Sequence, residues 1–206
     1  MKSNLKDSTK KQREVITNLS FLADNGKAYN INRAKALAEL VEKDITGKFL
    51  CHIGCHTGVV TQRLSKQCRK ILAIDIEQEC IDQTSERYYD CPTDVKKADA
   101  IKYLAENPDV NPEVFYFWTN KNSMEKWIEN IIELRGHTSP TIMLGIGLQR
   151  INSQIVDGVP IQLLEAKRLK EKYNGEIEMM NFSSTTNKVG LMGMMGVFGL
   201  LKIKGI

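Results

Sequence analysis

The chain is short of the features that mark exported, membrane-bound or nucleic-acid-coating proteins. Its five cysteines, Cys51, Cys55, Cys68, Cys80 and Cys91, form an odd set that no apolar export segment precedes. A disulfide framework is therefore not expected, and reduced thiols in a cytoplasmic setting are. No stretch reaches the ~18 consecutive apolar residues of a spanning helix, and glycines and lysines interrupt even the apolar residues 189–206. No membrane partner is expected. The net charge is +4, but residues 1–13 carry Lys2, Lys6, Lys10, Lys11 and Arg13 against Asp7 alone. The rest of the chain holds 24 bases and 24 acids, so it has no basic excess to match a phosphate backbone. Contact with nucleic acid is expected only through a flexible basic tail at 1–13. Repeats and internal linkers are missing too, so residues 14–206 read as one domain.

The composition is that of a globular chain, 42% hydrophobic and 26% charged over 206 residues. Short apolar runs alternate with amphipathic segments. Strands are expected at Lys48 to Ile53, Lys70 to Ile74, Asp94 to Ala98, Val114 to Trp118 and Thr141 to Ile146. Two more, Glu176 to Phe182 and Val197 to Ile203, have no helix between them and are expected to pair antiparallel. Asn32 is expected to cap a helix over Arg33 to Glu42, closed by Gly47. Further helices are expected after Gly58, over Glu77 to Tyr89, after Asp99, after Ser123 and from Pro160 to Tyr173. The fold class is α/β: a three-layer, mostly parallel sheet with an antiparallel last strand and helices on both faces. Ligands in such sheets bind beyond the carboxyl ends of the strands, where strand order reverses.

The most informative segment is Leu50-Cys51-His52-Ile53-Gly54-Cys55-His56-Thr57-Gly58, followed by a helix, a second strand and Asp75. Strand, glycine turn, helix, strand and acid, with the acid about 20 residues past the turn, is how an α/β protein builds a nucleoside pocket. His56 holds the middle position of the turn, closest to the ligand, and its side chain would obstruct a pyrophosphate. That argues against dinucleotides. Cys51, His52, Cys55 and His56 look like metal ligands. However, Cys51 and His52 point to opposite faces of a strand, so no metal site is expected.

In architecture over about residues 30–206, and in motif at residues 49–58, 75 and 99, the chain resembles the class I S-adenosylmethionine-dependent methyltransferases, which are Rossmann-like. The family's first motif runs apolar, apolar, acid, apolar, Gly-x-Gly-x-Gly. Gly54 and Gly58 match its outer glycines, while His52 stands in place of the acid and His56 in place of the middle glycine. The resemblance implies S-adenosylmethionine as cofactor and methyl transfer to an acceptor the sequence does not name. It implies that Gly54, Cys55, His56 and Gly58 form the turn and that Asp75 accepts from the ribose hydroxyls. Ile76 would lie on the adenine, and Asp99 and Ala100 at its edge. His52, a neutral imidazole, would stand by the methionine amino group. Trp118 would border the cofactor, with Thr119 and Asn120 by the acceptor. A second reading keeps the fold for binding or assembly without methyl transfer. A third keeps the cofactor but transfers its aminocarboxypropyl group. The apolar stretch Gly190-Leu191-Met192-Gly193-Met194-Met195-Gly196 is expected to line an apolar pocket or to make the interface of a homodimer.

Overall fold

The structure, a computed structural model, describes residues 23–118, 123–147, 155–156, 159–183 and 195–205. The basic tail, Thr119, Asn120 and residues 190–194 of the apolar stretch lie outside the described residues.

The chain opens with α1 (Ala23–Ile45), followed by β1 (Phe49–Ile53), α2 (Val59–Leu64), β2 (Lys70–Asp75) and α3 (Gln78–Ser85). Next come β3 (Thr93–Lys97), α4 (Ala100–Glu106), β4 (Val114–Trp118) and α5 (Met124–Arg135). A 3₁₀ turn, Gly136–Thr138, leads into β5 (Thr141–Gly147). A small antiparallel hairpin of β6 (Ile155–Val156) and β7 (Val159–Pro160) precedes α6 (Ile161–Lys172), β8 (Glu176–Ser183) and β9 (Met195–Ile203).

Seven strands form one sheet in the order β3-β2-β1-β4-β5-β9-β8. The first five are parallel, and β9 runs antiparallel to both β5 and β8. The expected terminal pair is present, and the antiparallel strand is the one that lies inside the sheet. Strands β1, β2 and β4 are buried almost throughout, which is why they read as largely apolar runs, interrupted in β1 by His52. Edge strand β3 carries Asp94, Lys96 and Lys97, charges that discourage pairing with another chain.

Strand alternation divides the core between two faces. Leu50, Ile71, Ala73, Val114, Tyr116 and Met143 pack with α1, α2 and α3 through Leu37, Val41, Val60, Leu64 and Ile81. Ile53, Leu72, Ile74, Phe115, Phe117 and Leu144 pack with α4, α5 and α6 through Leu104, Met124, Ile128, Ile131, Ala166 and Leu169. Helices thus cover both faces of the sheet, as expected.

Two elements differ from the sequence reading. Helix α1 starts at Ala23, so Asn32 lies inside it and does not cap it. Asn is only ~0.7 kcal/mol poorer than Ala within a helix, and the buried stripe of Ala34, Leu37, Ala38, Val41 and Ile45 outweighs that preference. Helix α3 ends at Ser85, short of Tyr89, because the residues that follow leave it to make other contacts. Tyr89 Oη donates to the Thr84 carbonyl (2.7 Å), and Arg87 turns back toward the glycine turn.

Two buried cations tie the layers together. Arg135 is 3% exposed and donates to the carbonyls of Leu104, Asn107, Val110 and Leu134, pinning the α4–β4 connection to α5. Lys202 of β9, also 3% exposed, pairs with Asp44 of α1 (2.6 Å) and Glu178 of β8 (2.8 Å). Among the described residues no helix is long and apolar enough to cross a membrane.

Candidate functional site

The sheet reverses its strand order between β1 and β4, with β2 and β3 to one side and β5 to the other. The residues singled out from the sequence gather at the carboxyl ends of these strands. Beyond Ile53 the backbone makes a tight turn in which Gly54, His56 and Gly58 all have positive φ (70°, 49° and 73°). Histidine tolerates that region better than most side chains, so the turn forms without its middle glycine. Gly58 is required twice over. It is left-handed, and a Cβ there would stand 2.9 Å from Arg87 Cδ and 3.0 Å from Thr84 Cγ2.

The turn is held on both sides. The N–H groups of Gly54 and Cys55 donate to the Ile74 carbonyl (2.8 and 3.2 Å). From α3, Thr84 Oγ1 donates to the His56 carbonyl (2.6 Å), and just beyond it Arg87 Nε donates to the Thr57 carbonyl. Asp75 completes the frame: Oδ2 accepts from the His56 N–H (2.9 Å) and Oδ1 from the Glu77 N–H (3.0 Å). A half-buried carboxylate is thereby fixed between the glycine turn and the start of α3, with lone pairs left for a ligand hydroxyl. Ile76, the next residue, is 63% exposed.

Asp99 is exposed at the end of β3 and caps α4 by accepting from the Lys102 N–H (3.0 Å). Ala100 is buried, so its backbone is the part of it that a ligand could meet. Cys55 is likewise buried. Its Sγ lies 3.9 Å from Thr84 Oγ1, and burial pushes its thiol up to about 12. It supports the turn from beneath and presents only its backbone above.

The end of the site at β1 and β4 is of a different kind. His52 is 4% exposed, shares a 2.8 Å hydrogen bond between Nδ1 and Thr61 Oγ1, and packs its ring 5.0 Å from that of Tyr116. Burial drives its pKa from 6.5 down to about 3, and the Arg33 charge adds to the effect. The imidazole is therefore neutral at any ordinary pH. Tyr116 is buried as well, and its hydroxyl is pushed up to about 12. Trp118 is 40% exposed at the tip of β4 and lies over Gly145 of β5, where a Cβ would come within 2.9 Å of Cζ3. The Arg33 guanidinium stands 5.2 Å from the Trp118 ring centroid.

Arg33, Thr61, Thr84, Arg87 and Tyr116 were not anticipated from the sequence. Thr61 comes from α2 just after the turn and the other four from elements more distant in the chain, and none sits in a motif. Cys51 packs in the core on the α4–α6 face while His52 packs on the other, and among the described residues no three potential ligands group to hold a metal.

A parallel sheet with this strand order, one inserted antiparallel strand and a glycine turn leading to a strand-end acid define a class I S-adenosylmethionine-dependent methyltransferase fold. The sequence model of the Nodulation protein S (NodS) family, an S-adenosylmethionine-dependent methyltransferase family, matches residues 11–153, more than two thirds of the chain; the protein belongs to that family. It is an S-adenosylmethionine-dependent methyltransferase, with S-adenosylmethionine as its cofactor.

Solved structures agree on the fold. Precorrin 8W decarboxylase from Methanobacterium thermoautotrophicum is 16% identical with a TM-score of 0.59, covering 84% of this chain and 90% of its own. The O-methyltransferase from Bacillus cereus, solved in complex with SAH, is 14% identical with a TM-score of 0.56, covering 84% and 80%. Precorrin-6y C5,15-methyltransferase from Geobacter metallireducens is 14% identical with a TM-score of 0.56, covering 78% and 81%. No curated protein matches the chain in sequence.

Proposed function

We propose that the pocket over β1, β2 and β3 holds the adenosine of S-adenosylmethionine and that the acceptor approaches over β4. The observation that carries this reading is Asp75. Its carboxylate is immobilised by two backbone N–H groups at the point where a ribose diol would bridge the glycine turn and the apolar Ile76. Ile76 offers an exposed apolar surface for the adenine face. Asp99 and the Ala100 backbone stand at the adenine edge, and Asp99 can cap α4 with one oxygen while accepting from the ring amino group with the other. Gly54 and His56 present backbone toward the ligand, and Gly58 keeps α2 close. At the other end the fit differs, because the position nearest the amino-acid group carries the neutral His52 and no carboxylate.

When bound, the cofactor supplies a sulfonium methyl for in-line displacement by an acceptor nucleophile. The chain's own contribution is position and exclusion of water. Alignment of two reactants is worth a large part of such a barrier. Trp118, lying over Gly145, forms a wall of the acceptor side, and Thr119 and Asn120, the residues that follow it in sequence, are assigned to the acceptor. The same reading keeps 14–206 as a single domain with a basic tail at 1–13, the tail being the one place for nucleic-acid contact. It gives Gly190 to Gly196 the role of an apolar pocket wall or a homodimer contact and puts the protein in the cytoplasm, where its thiols, Cys51, Cys55 and Cys68 buried among them, stay reduced.

Calorimetric titration with S-adenosylhomocysteine tests the ribose placement. Native protein binds, and Asp75→Ala, checked for folding by circular dichroism, binds about 10- to 100-fold more weakly, as expected for lost hydrogen bonds to a charged group. Equal affinity of the two proteins would remove Asp75 from the pocket.

A further inference from the structure

The middle of the glycine turn is occupied by His56, whose φ of 49° is left-handed. A side chain in that region is strained where a glycine is not, so contacts from outside the turn must hold it there. Both backbone polar groups of His56 are fixed: its N–H donates to Asp75 Oδ2 (2.9 Å) and its carbonyl accepts from Thr84 Oγ1 (2.6 Å). Thr84 lies inside the eight-residue helix α3, where threonine is a poor helix former. A threonine there ordinarily turns its hydroxyl to the carbonyl one turn back; this one reaches across to the glycine turn. It is fully buried, out of a ligand's reach, and it fills the space beside Gly58, where a Cβ would stand 3.0 Å from its Cγ2. The Thr84 carbonyl accepts from Tyr89 Oη (2.7 Å), so the hydroxyl is carried on a residue that is itself tied down.

We propose that Thr84 is a positioning residue for cofactor binding. Its hydroxyl holds the His56 carbonyl and keeps His56 left-handed; the His56 N–H is thereby aimed at Asp75, which sets the carboxylate for the ribose. The clamp supplies from another element what a glycine in the middle of the turn would supply by its own conformational freedom. The inference rests on the ribose placement proposed above and adds to it a residue that never meets the ligand. Arg87 supports the same clamp one residue on, with Nε donating to the Thr57 carbonyl and Nη1 to Gln62 Oε1 (3.2 Å).

The test is calorimetry of the full chain with S-adenosylhomocysteine, each variant checked for folding by circular dichroism. Thr84→Val removes the donor at nearly constant size and is expected to weaken binding about 10-fold, as for a buried carbonyl left without its donor. Thr84→Ser keeps the hydroxyl and stays within about three-fold of native. Thr84→Ala repeats the loss where the valine variant does not fold. In a His56→Gly background the loss of the Thr84 hydroxyl costs no more than about three-fold, because glycine takes the left-handed conformation unaided. That dependence on His56 separates positioning from packing, since a packing defect would cost the same in both backgrounds. Native affinity in Thr84→Val or Thr84→Ala, or an undiminished loss in the His56→Gly background, overturns the inference alone. Equal binding by native protein and Asp75→Ala overturns the ribose placement and the inference with it.

Discussion

The two ends of the pocket are built by opposite means. At β2 and β3 the groups that face outward are carboxylates, and each is held by main-chain N–H groups: Asp75 by His56 and Glu77, Asp99 by Lys102. At β1 and β4 the floor is a neutral imidazole against a phenol, sealed from water, and the charge above it is a cation supplied by another element. One end is anionic and backbone-defined, while the other is cationic and assembled from side chains. The difference teaches that a glycine turn held by backbone hydrogen bonds can keep its geometry beside a region of opposite charge. Backbone hydrogen bonds fix the first, whereas a few side chains set the second.

The largest expected effect lies in the backbone-defined end. Gly58→Ala incurs a left-handed conformation, costing about 1–2 kcal/mol, and a close contact with Thr84 and Arg87 that adds about 1–3 kcal/mol. A fall of about 2–5 kcal/mol in urea unfolding is expected, together with weakened S-adenosylhomocysteine binding. Unchanged stability would mean that the turn is not the rigid part of the comparison.

The side-chain end is probed by pH. Because the native His52 has a pKa near 3 and an unfolded histidine one of 6.5, only the unfolded state takes up this proton as pH falls between those values. Stability is therefore lost toward acid at up to about 1.4 kcal/mol per pH unit. In His52→Gln that contribution is gone, and its acid-side decline is shallower than native by about 2 kcal/mol at about pH 5. Parallel curves for the two proteins would show that His52 is not buried as a neutral group.

The smallest effect distinguishes the two carboxylates. Asp99→Ala removes a helix cap and lowers stability by about 1 kcal/mol. A concurrent loss in S-adenosylhomocysteine affinity assigns Asp99 to the ligand as well, and unchanged affinity confines it to capping.

Much of the fold can be read from the sequence, because the central strands are buried on both faces and so are mostly apolar; the expected strand Val114–Trp118 matches to the residue. The start of α1 could not, because Asn32 carries a local capping signal that the packing of Leu37, Val41 and Ile45 overrides. In the site, Gly54, Gly58, Asp75 and Asp99 were visible because turn and strand-end positions impose residue types at fixed spacing. Arg33 was not, since its meeting with Trp118 spans 85 residues and follows only from α1 packing over β1 and β4. The sequence showed that His52 replaces an acid. The near-complete burial that keeps it uncharged is set by Thr61 and Tyr116, which no linear spacing predicts.

The position of β9 has a consequence for synthesis. Strand β8 precedes it in the chain, yet among the described residues β9 is its only neighbour in the sheet. During translation β8 must wait for residues 195–203 to emerge, roughly one to four seconds at about 5–20 residues per second. For that interval it is an unpaired strand, the kind of edge that invites wrong partners. Glu176 and Glu178 keep it charged while it waits, and Lys202, on the strand that captures it, and Lys204, just past that strand's end, then arrive. The charges that guard the waiting strand are thus the ones that become its ion pairs once β9 has paired with it.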